Sequence, residues 1–256
     1  MIRENIFFEA VDKLKGCLPD PIDEKGRSFF IERGKGRRLV LTDIHGSYQT
    51  FVKMLKKLDL KKEDQFFILG DMINRAPYSI YVLEKIAELI LDGYSIFPLR
   101  GNHEQLFIEY ADTDRHKLNL LAERQYSLHL LSDQELPQGI TTFFKTLPYY
   151  YETDKHLMVH AGFQTEKKKP LTSWKDMLWI RSFNYDREKL KNKTVVHGHV
   201  PTRLQDIKSR IASGGKHIKL DNGCIRSGVT GYGKLVCWNA DSKEFVTQKN
   251  VDFRPV

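Results

Sequence analysis

The chain is 256 residues long, 41% hydrophobic, and sets 41 lysines and arginines against 33 acidic residues, for a formal charge of +8 and a pI near 9.2. That length can bury a sizeable core in one α/β domain spanning 1–256, while three scattered cysteines, Cys17, Cys224 and Cys237, exclude a disulfide framework or zinc ribbon and suit reduced thiols in a cytosol. The positive charge would admit nucleic acid or acidic lipid, but the lysines fall in clusters such as "KKLDLKKED" and "EKKKP", mixed with acids and short of aromatics, the pattern of solvated faces around an anion-attracting cleft.

At the N-terminus "MIRENIFFEAVDKLKG" has acidic residues and too short an apolar run for a signal-peptide core, and no later stretch approaches the roughly 20 apolar residues of a membrane helix. A cytoplasmic protein with neither nucleic acid nor membrane as partner is the expectation. "SFFIERGKGRRLVLTD" reads as two strands around a glycine turn. "SYQTFVKMLKKLDL" has helical spacing, "DQFFILGD" is a buried strand, and "SIYVLEKIAELILDG" is an amphipathic helix ending at Gly93. A third strand, "YSIFPLRGN", precedes a short helix, "EQLFIEYA". This β-α-β-α-β order predicts a mainly parallel sheet with right-handed crossovers. Residues 112–145 read as a polar helical insertion, and "HLMVHAGF", "TVVHGHV", "KHIKLDNG", "KLVCWNA" and "EFVTQK" predict a second, more antiparallel sheet.

Asp71 alone, at the end of "FFILGD", reads as a helix cap or turn residue. Its setting changes that reading. Polar residues follow five apolar strands: Asp43 and His45, Gly70 and Asp71, Arg100 with Asn102 and His103, His160, and His197 with His199. In α/β sheets ligand-binding groups gather beyond the carboxyl ends of strands, so five such ends can converge. Asp43 and His45 are two apart and would point to one side of an extended chain. Two carboxylates, one amide oxygen and three imidazoles suit a pair of divalent ions such as manganese, iron or zinc.

"TDIHG", "GDMINRAP", "RGNHE", "VHAG" and "HGHVP" resemble, in order over about residues 38–225, the motif series of the metallophosphoesterases, and within them the phosphoprotein phosphatase branch with its bacterial members. The resemblance implies a four-layer α/β/β/α sandwich, two mixed sheets flanked by helices, and a two-metal site: Asp43 and His45 on one ion, Asp71 bridging, and Asn102, His160 and His199 on the other. Manganese is the ion expected first. Arg75, Arg100 and Arg181 fall where similar enzymes clamp phosphoryl oxygens, a task that suits planar guanidinium. His103 is the expected general acid for an alkoxide leaving group. His197 is left as a core or outlying residue.

Two residues depart from the family pattern: Asn74 stands where an aspartate usually pairs with the catalytic histidine, and Ala76 replaces a glycine. His116, His129, His156 and His217 have no partner pattern, and Trp174, Trp179 and Trp238 read as packing, with one of them a candidate for the cleft. The expectation is a metal-dependent phosphomonoesterase acting on phosphoserine or phosphothreonine in proteins or peptides, with phosphotyrosine as a further substrate. The alternative is symmetrical hydrolysis of diadenosine tetraphosphate. Those relatives typically read "GNHD" where this chain reads "GNHE", which favours the protein phosphatase. A non-catalytic scaffold would be expected to have lost ligands, and all six are present.

Overall fold

The computed structural model describes residues 2–23 and 27–252. In chain order the elements are α1 (Glu4–Cys17), β1 (Ser28–Phe30), β2 (Arg38–Leu41), α2 (Tyr48–Leu58), β3 (Gln65–Ile68), α3 (Ser79–Leu91), β4 (Ser95–Pro98), α4 (Asn102–Thr113), α5 (Arg115–Arg124), α6 (Gln138–Thr146), β5 (Tyr150–Glu152), β6 (His156–Val159), α7 (Trp174–Trp179), β7 (Thr194–His197), α8 (Leu204–Ala212), β8 (His217–Lys219), β9 (Lys234–Asn239) and β10 (Phe245–Lys249). They build two five-stranded sheets, ordered β10-β9-β2-β3-β4 and β1-β5-β6-β7-β8. Val40, Phe67, Leu69, Phe97 and Trp238 of the first sheet meet Tyr151, Met158, Val196 and Ile218 of the second in a buried inter-sheet core. The helices α1, α2, α3, α4 and α6 cover the outer face of the first sheet, and Met177 and Leu178 of α7 cover the second. This is the expected sandwich of two mixed sheets flanked by helices.

Every residue of β2 and β3 is buried, because each strand is covered on both faces, which explains unbroken apolar runs in place of alternation. Register does the positioning. Leu41 lies opposite Ile68 and Ile68 opposite Pro98 in parallel strands, so their carboxyl ends finish side by side. In the second sheet Met158 pairs with Val196, also in parallel strands.

Both strands expected in "SFFIERGKGRRLVLTD" are present, but they do not pair around their turn: β1 pairs with β5 in one sheet, and β2 with β3 and β9 in the other. Two expectations are corrected. The second sheet is not the more antiparallel one. Its β1-β5, β6-β7 and β7-β8 pairs are parallel, and the late strands β9 and β10 join the first sheet antiparallel to β2 and to each other. A run's pattern states that it is a buried strand and not which neighbour it takes. The segment 112–145 is only partly a polar insertion, because α6 buries Phe143 and Phe144 in the same core as Phe7, Ala10 and Val11 of α1.

Candidate metal centre and cleft

The turns after β2, β3, β4, β6 and β7 form one end of the sandwich and hold each other by backbone bonds. Asp43 N–H donates to the Gly70 carbonyl, His45 N–H to the Asp71 carbonyl and Gly198 N–H to the His160 carbonyl. Gly70 has φ +81°, and a Cβ on it would come within 2.6 Å of the Gly101 backbone, so two motif glycines let two strand ends touch.

Asp43, His45, Asp71, Asn74, Arg75 and His199 all lie in the left-handed region, with φ between 48° and 74°. For non-glycine residues this is uncommon and costly, and it collects at functional sites. It also corrects the extended-chain argument for Asp43 and His45: a left-handed turn, tied to the β3 loop, aims them together.

Asp71 stands at the centre, with its two oxygens facing different groups. Oδ1 is 3.5 Å from His160 Nε2 and accepts the His103 backbone N–H at 3.1 Å, while Oδ2 is 3.8 Å from both His45 Nε2 and His103 Nε2. On the Oδ1 side, Asn102 Oδ1, His160 Nε2 and His199 Nδ1 lie 2.9, 3.0 and 3.2 Å from one another. Three donors about 2.1 Å from a common ion have edges of this length. On the Oδ2 side, His45 Nε2 is 3.9 Å from Asp43 Oδ1.

The imidazoles are oriented from behind. His160 Nδ1 is 2.9 Å from the Leu69 carbonyl and His45 Nδ1 is 3.2 Å from that of Ile73, so each donates its Nδ1 proton and presents an Nε2 lone pair to the centre. Burial pushes His45 down to about 3 and His199 to about 4, which keeps them neutral as metal ligands must be. Burial would raise Asp71, but His160, His103 and His45 hold it below its ordinary value; burial and the neighbouring Asp221 and Asp71 carboxylates raise Asp43. Burial lifts Asp221 to about 7. Crowded, buried carboxylates beside neutral imidazoles are a donor set that lacks positive charge, and two divalent cations fit it.

Glu104 of the "GNHE" motif is fully buried and turned away from the cleft. Its carboxylate accepts backbone N–H bonds from Gly101, Asp71, Met72 and Ile73, at 2.8, 3.0, 2.8 and 3.3 Å, tying the β3 and β4 turns together. The Glu-for-Asp difference at this position therefore lies in the scaffold. Asn74 Nδ2 stands 2.7 Å from His103 Nδ1, the pairing expected at that position with an amide in place of a carboxylate.

The centre opens into a cleft of about 420 Å³ whose lining includes Arg75, Arg181, Arg226, Trp179, Asp221 and Leu121. Arg100 is not among its walls. That guanidinium is buried and bonds Gln105 Oε1, the Tyr149 hydroxyl and the Lys145 carbonyl at 2.9, 3.1 and 2.7 Å, unlike Arg75 and Arg181, which line the cleft. Arg226 and Asp221 are not among the expected site residues, because "LDNGCIRSG" offers no ligand spacing, and of the three tryptophans it is Trp179 that lines the cleft. His197 is buried with its Nε2 2.7 Å from His217 Nε2, giving both histidines a partner away from the centre.

The calcineurin-like phosphoesterase family model matches residues 36–239, and the chain belongs to that family. It is 33% identical over 126 residues to a symmetrical bis(5'-nucleosyl)-tetraphosphatase of Wigglesworthia glossinidia brevipalpis, covering 48% of this chain and 43% of that protein. It is 26% identical over 142 residues to an asymmetrical bis(5'-nucleosyl)-tetraphosphatase of Bacillus cereus (strain Q1), covering 50% and 58%. The chain thus spans about half the length of these curated relatives. Among solved structures it is similar to a provisionally assigned diadenosine tetraphosphatase, with TM-score 0.66 and 17% identity over 89% of this chain and 99% of the other. It is also similar to a protein serine/threonine phosphatase from Saccharomyces cerevisiae, with TM-score 0.64 and 15% identity over 99% and 90%. At such identities these structures speak for the fold alone.

Proposed function

We propose that the chain is a metal-dependent hydrolase of phosphate esters and anhydrides, working on a dinucleoside tetraphosphate. The observation that carries the reaction is Asp71, whose two oxygens face two separate ligand groups. Asp43, His45 and Asp71 would hold one divalent cation, and Asp71, Asn102, His160 and His199 the other. When bound, such a pair supplies Lewis acidity and makes water nucleophilic near neutral pH.

The remaining work falls to the chain's own groups. Arg75 and Arg181 make no ion pair within 4 Å among the described residues, which leaves both guanidiniums for phosphoryl oxygens; Arg75 is near enough to oppose protonation of His103, and Arg181 that of His199. His103, with Nε2 turned to the centre and Nδ1 held by Asn74, is placed to hand a proton to the leaving oxygen.

The choice of substrate shifts from the sequence expectation. The argument for a protein phosphatase rested on Glu104, which touches backbone and not the cleft, while the curated relatives are named for dinucleoside tetraphosphates. Phosphoserine or phosphothreonine in a protein is the second reading. It is favoured by the exposed Tyr126, which follows the cleft-lining Gln125 and offers a face for a peptide's flank.

The test is phosphate or nucleotide release from diadenosine tetraphosphate against phosphoserine peptides, with chelated protein reloaded with manganese. Recovery with manganese and its loss in Asp71→Asn are expected. Full activity in metal-free protein would overturn the two-metal reading, and a preference for the peptide would establish the second substrate.

A further inference from the structure

Beyond Arg75 and Arg181, assigned above to the phosphoryl oxygens, the cleft presents a third guanidinium. Arg75 enters from the turn after β3 and Arg181 from the segment after α7. Arg226 comes from a different wall, the loop between β8 and β9. Its stem lies over Gly223, where a Cβ would stand 3.0 Å from Arg226 Cδ and 3.2 Å from Pro201 Cβ, and its guanidinium sits 5.5 Å from the Tyr232 ring centre. The tyrosine face supports the cation without neutralising it. No carboxylate lies within 4 Å of that guanidinium among the described residues, whereas Arg3, Arg37 and Arg38 elsewhere in the fold each hold one. Asp221 on the same cleft feels this charge from beyond ion-pair distance, so the guanidinium, resting on an aromatic face and bridged to no carboxylate within 4 Å among the described residues, is a binding group for a second anion.

Trp179 stands on the same cleft, 40% exposed, two residues before Arg181. The other two tryptophans have aromatic partners: Trp174 packs on Tyr149 at 5.9 Å and Trp238 on His156 at 5.5 Å. An indole left half-open to solvent at a substrate cleft, with no ring against it among the described residues, is a stacking face for a planar base.

We propose that Arg226 and Trp179 form a subsite beyond the scissile phosphate, in which Arg226 binds the remaining phosphates of a nucleoside polyphosphate and Trp179 stacks on its base. This deepens the tetraphosphate reading and rests on it. The pair sets specificity: a compact aryl phosphate offers neither further phosphates to Arg226 nor a purine to Trp179.

Two measurements test it. In the manganese-loaded enzyme, the ratio of kcat/KM for diadenosine tetraphosphate to that for p-nitrophenyl phosphate should fall roughly tenfold or more in Arg226→Gln, chiefly through KM, as expected for one lost charge-assisted contact. Trp179→Leu should lower the ratio for the dinucleotide several-fold. By calorimetry, a methylene-bridged, non-hydrolysable diadenosine tetraphosphate should bind Arg226→Gln and Trp179→Leu more weakly than the parent protein by matching factors. An unchanged ratio with unchanged binding would overturn the subsite, as would an equal loss on both substrates, which would place Arg226 in the phosphoryl clamp. If the parent protein hydrolyses neither substrate when loaded, the two-metal reading itself fails, an outcome separate from either of these.

Discussion

Asn74 keeps the position of a catalytic partner and changes its chemistry. Its amide nitrogen faces His103 Nδ1 while its Oδ1 is buried without a hydrogen-bond partner among the described residues. So arranged, the amide donates and the imidazole is neutral, with its proton on Nε2 toward Asp71. Burial also holds His103 below its ordinary value. A carboxylate at position 74 would instead accept from Nδ1 and favour the imidazolium. Asn74→Asp should therefore raise kcat on a phosphoserine peptide relative to p-nitrophenyl phosphate, whose leaving group departs without a proton. An equal change on both substrates would show that position 74 does not act through His103. The arginines divide by the same logic of partners. Arg181→Ala should lose on the order of 2 to 4 kcal/mol in kcat/KM with metal content retained. Arg100→Ala should lower the melting temperature, because it strands Gln105 and the Lys145 carbonyl. A larger kinetic than thermal effect for Arg100 would return it to the clamp.

At the scale of elements, α1 and α6 show what polarity along a segment conceals. Phe143 of α6 is fully buried, its ring 5.9 Å from that of Phe7 in α1, although it falls near the end of a segment, 112–145, that reads as polar. Phe143→Ala should lower the unfolding free energy by about 3 to 5 kcal/mol in a denaturant titration; a change below about 1 kcal/mol would mean that α6 is an appendage after all. Between the sheets, His156 at the start of β6 packs edge-on against Trp238, and burial, aided by Arg38, lowers it to about 4. Its ordinary value is 6.5. Between those two values the unfolded chain binds a proton that the folded chain refuses, so stability falls as pH drops from 6.5 toward 4. His156→Phe should flatten the fall of melting temperature over that window, and an unchanged slope would assign the effect to other groups.

For the molecule as a whole, the centre is a place where folding concentrates uncompensated charge. Asp43, Asp71, Glu104 and Asp221 are all buried at one end of the sandwich. A cation that binds only the folded chain stabilises it by mass action, so the melting temperature of chelated protein should climb with manganese concentration and climb less in Asp71→Asn. The same end of the molecule shows which decisions the sequence made. Its strands, the crossover helices α2 and α3, the helix α4 and the six ligand-type side chains were legible because each is written locally: an apolar run, a helical period, a polar residue just past a strand. The partners were not. Nothing local says that β1 and β2 part to different sheets, that β9 inserts beside β2, that Arg100 turns back to Tyr149 while Arg226 reaches the cleft, or that Glu104 faces backbone. Those are outcomes of register and packing between segments distant in the chain. A residue's type and its neighbours in sequence fix what chemistry it can offer, and only the closure of the two sheets fixes what it is offered to.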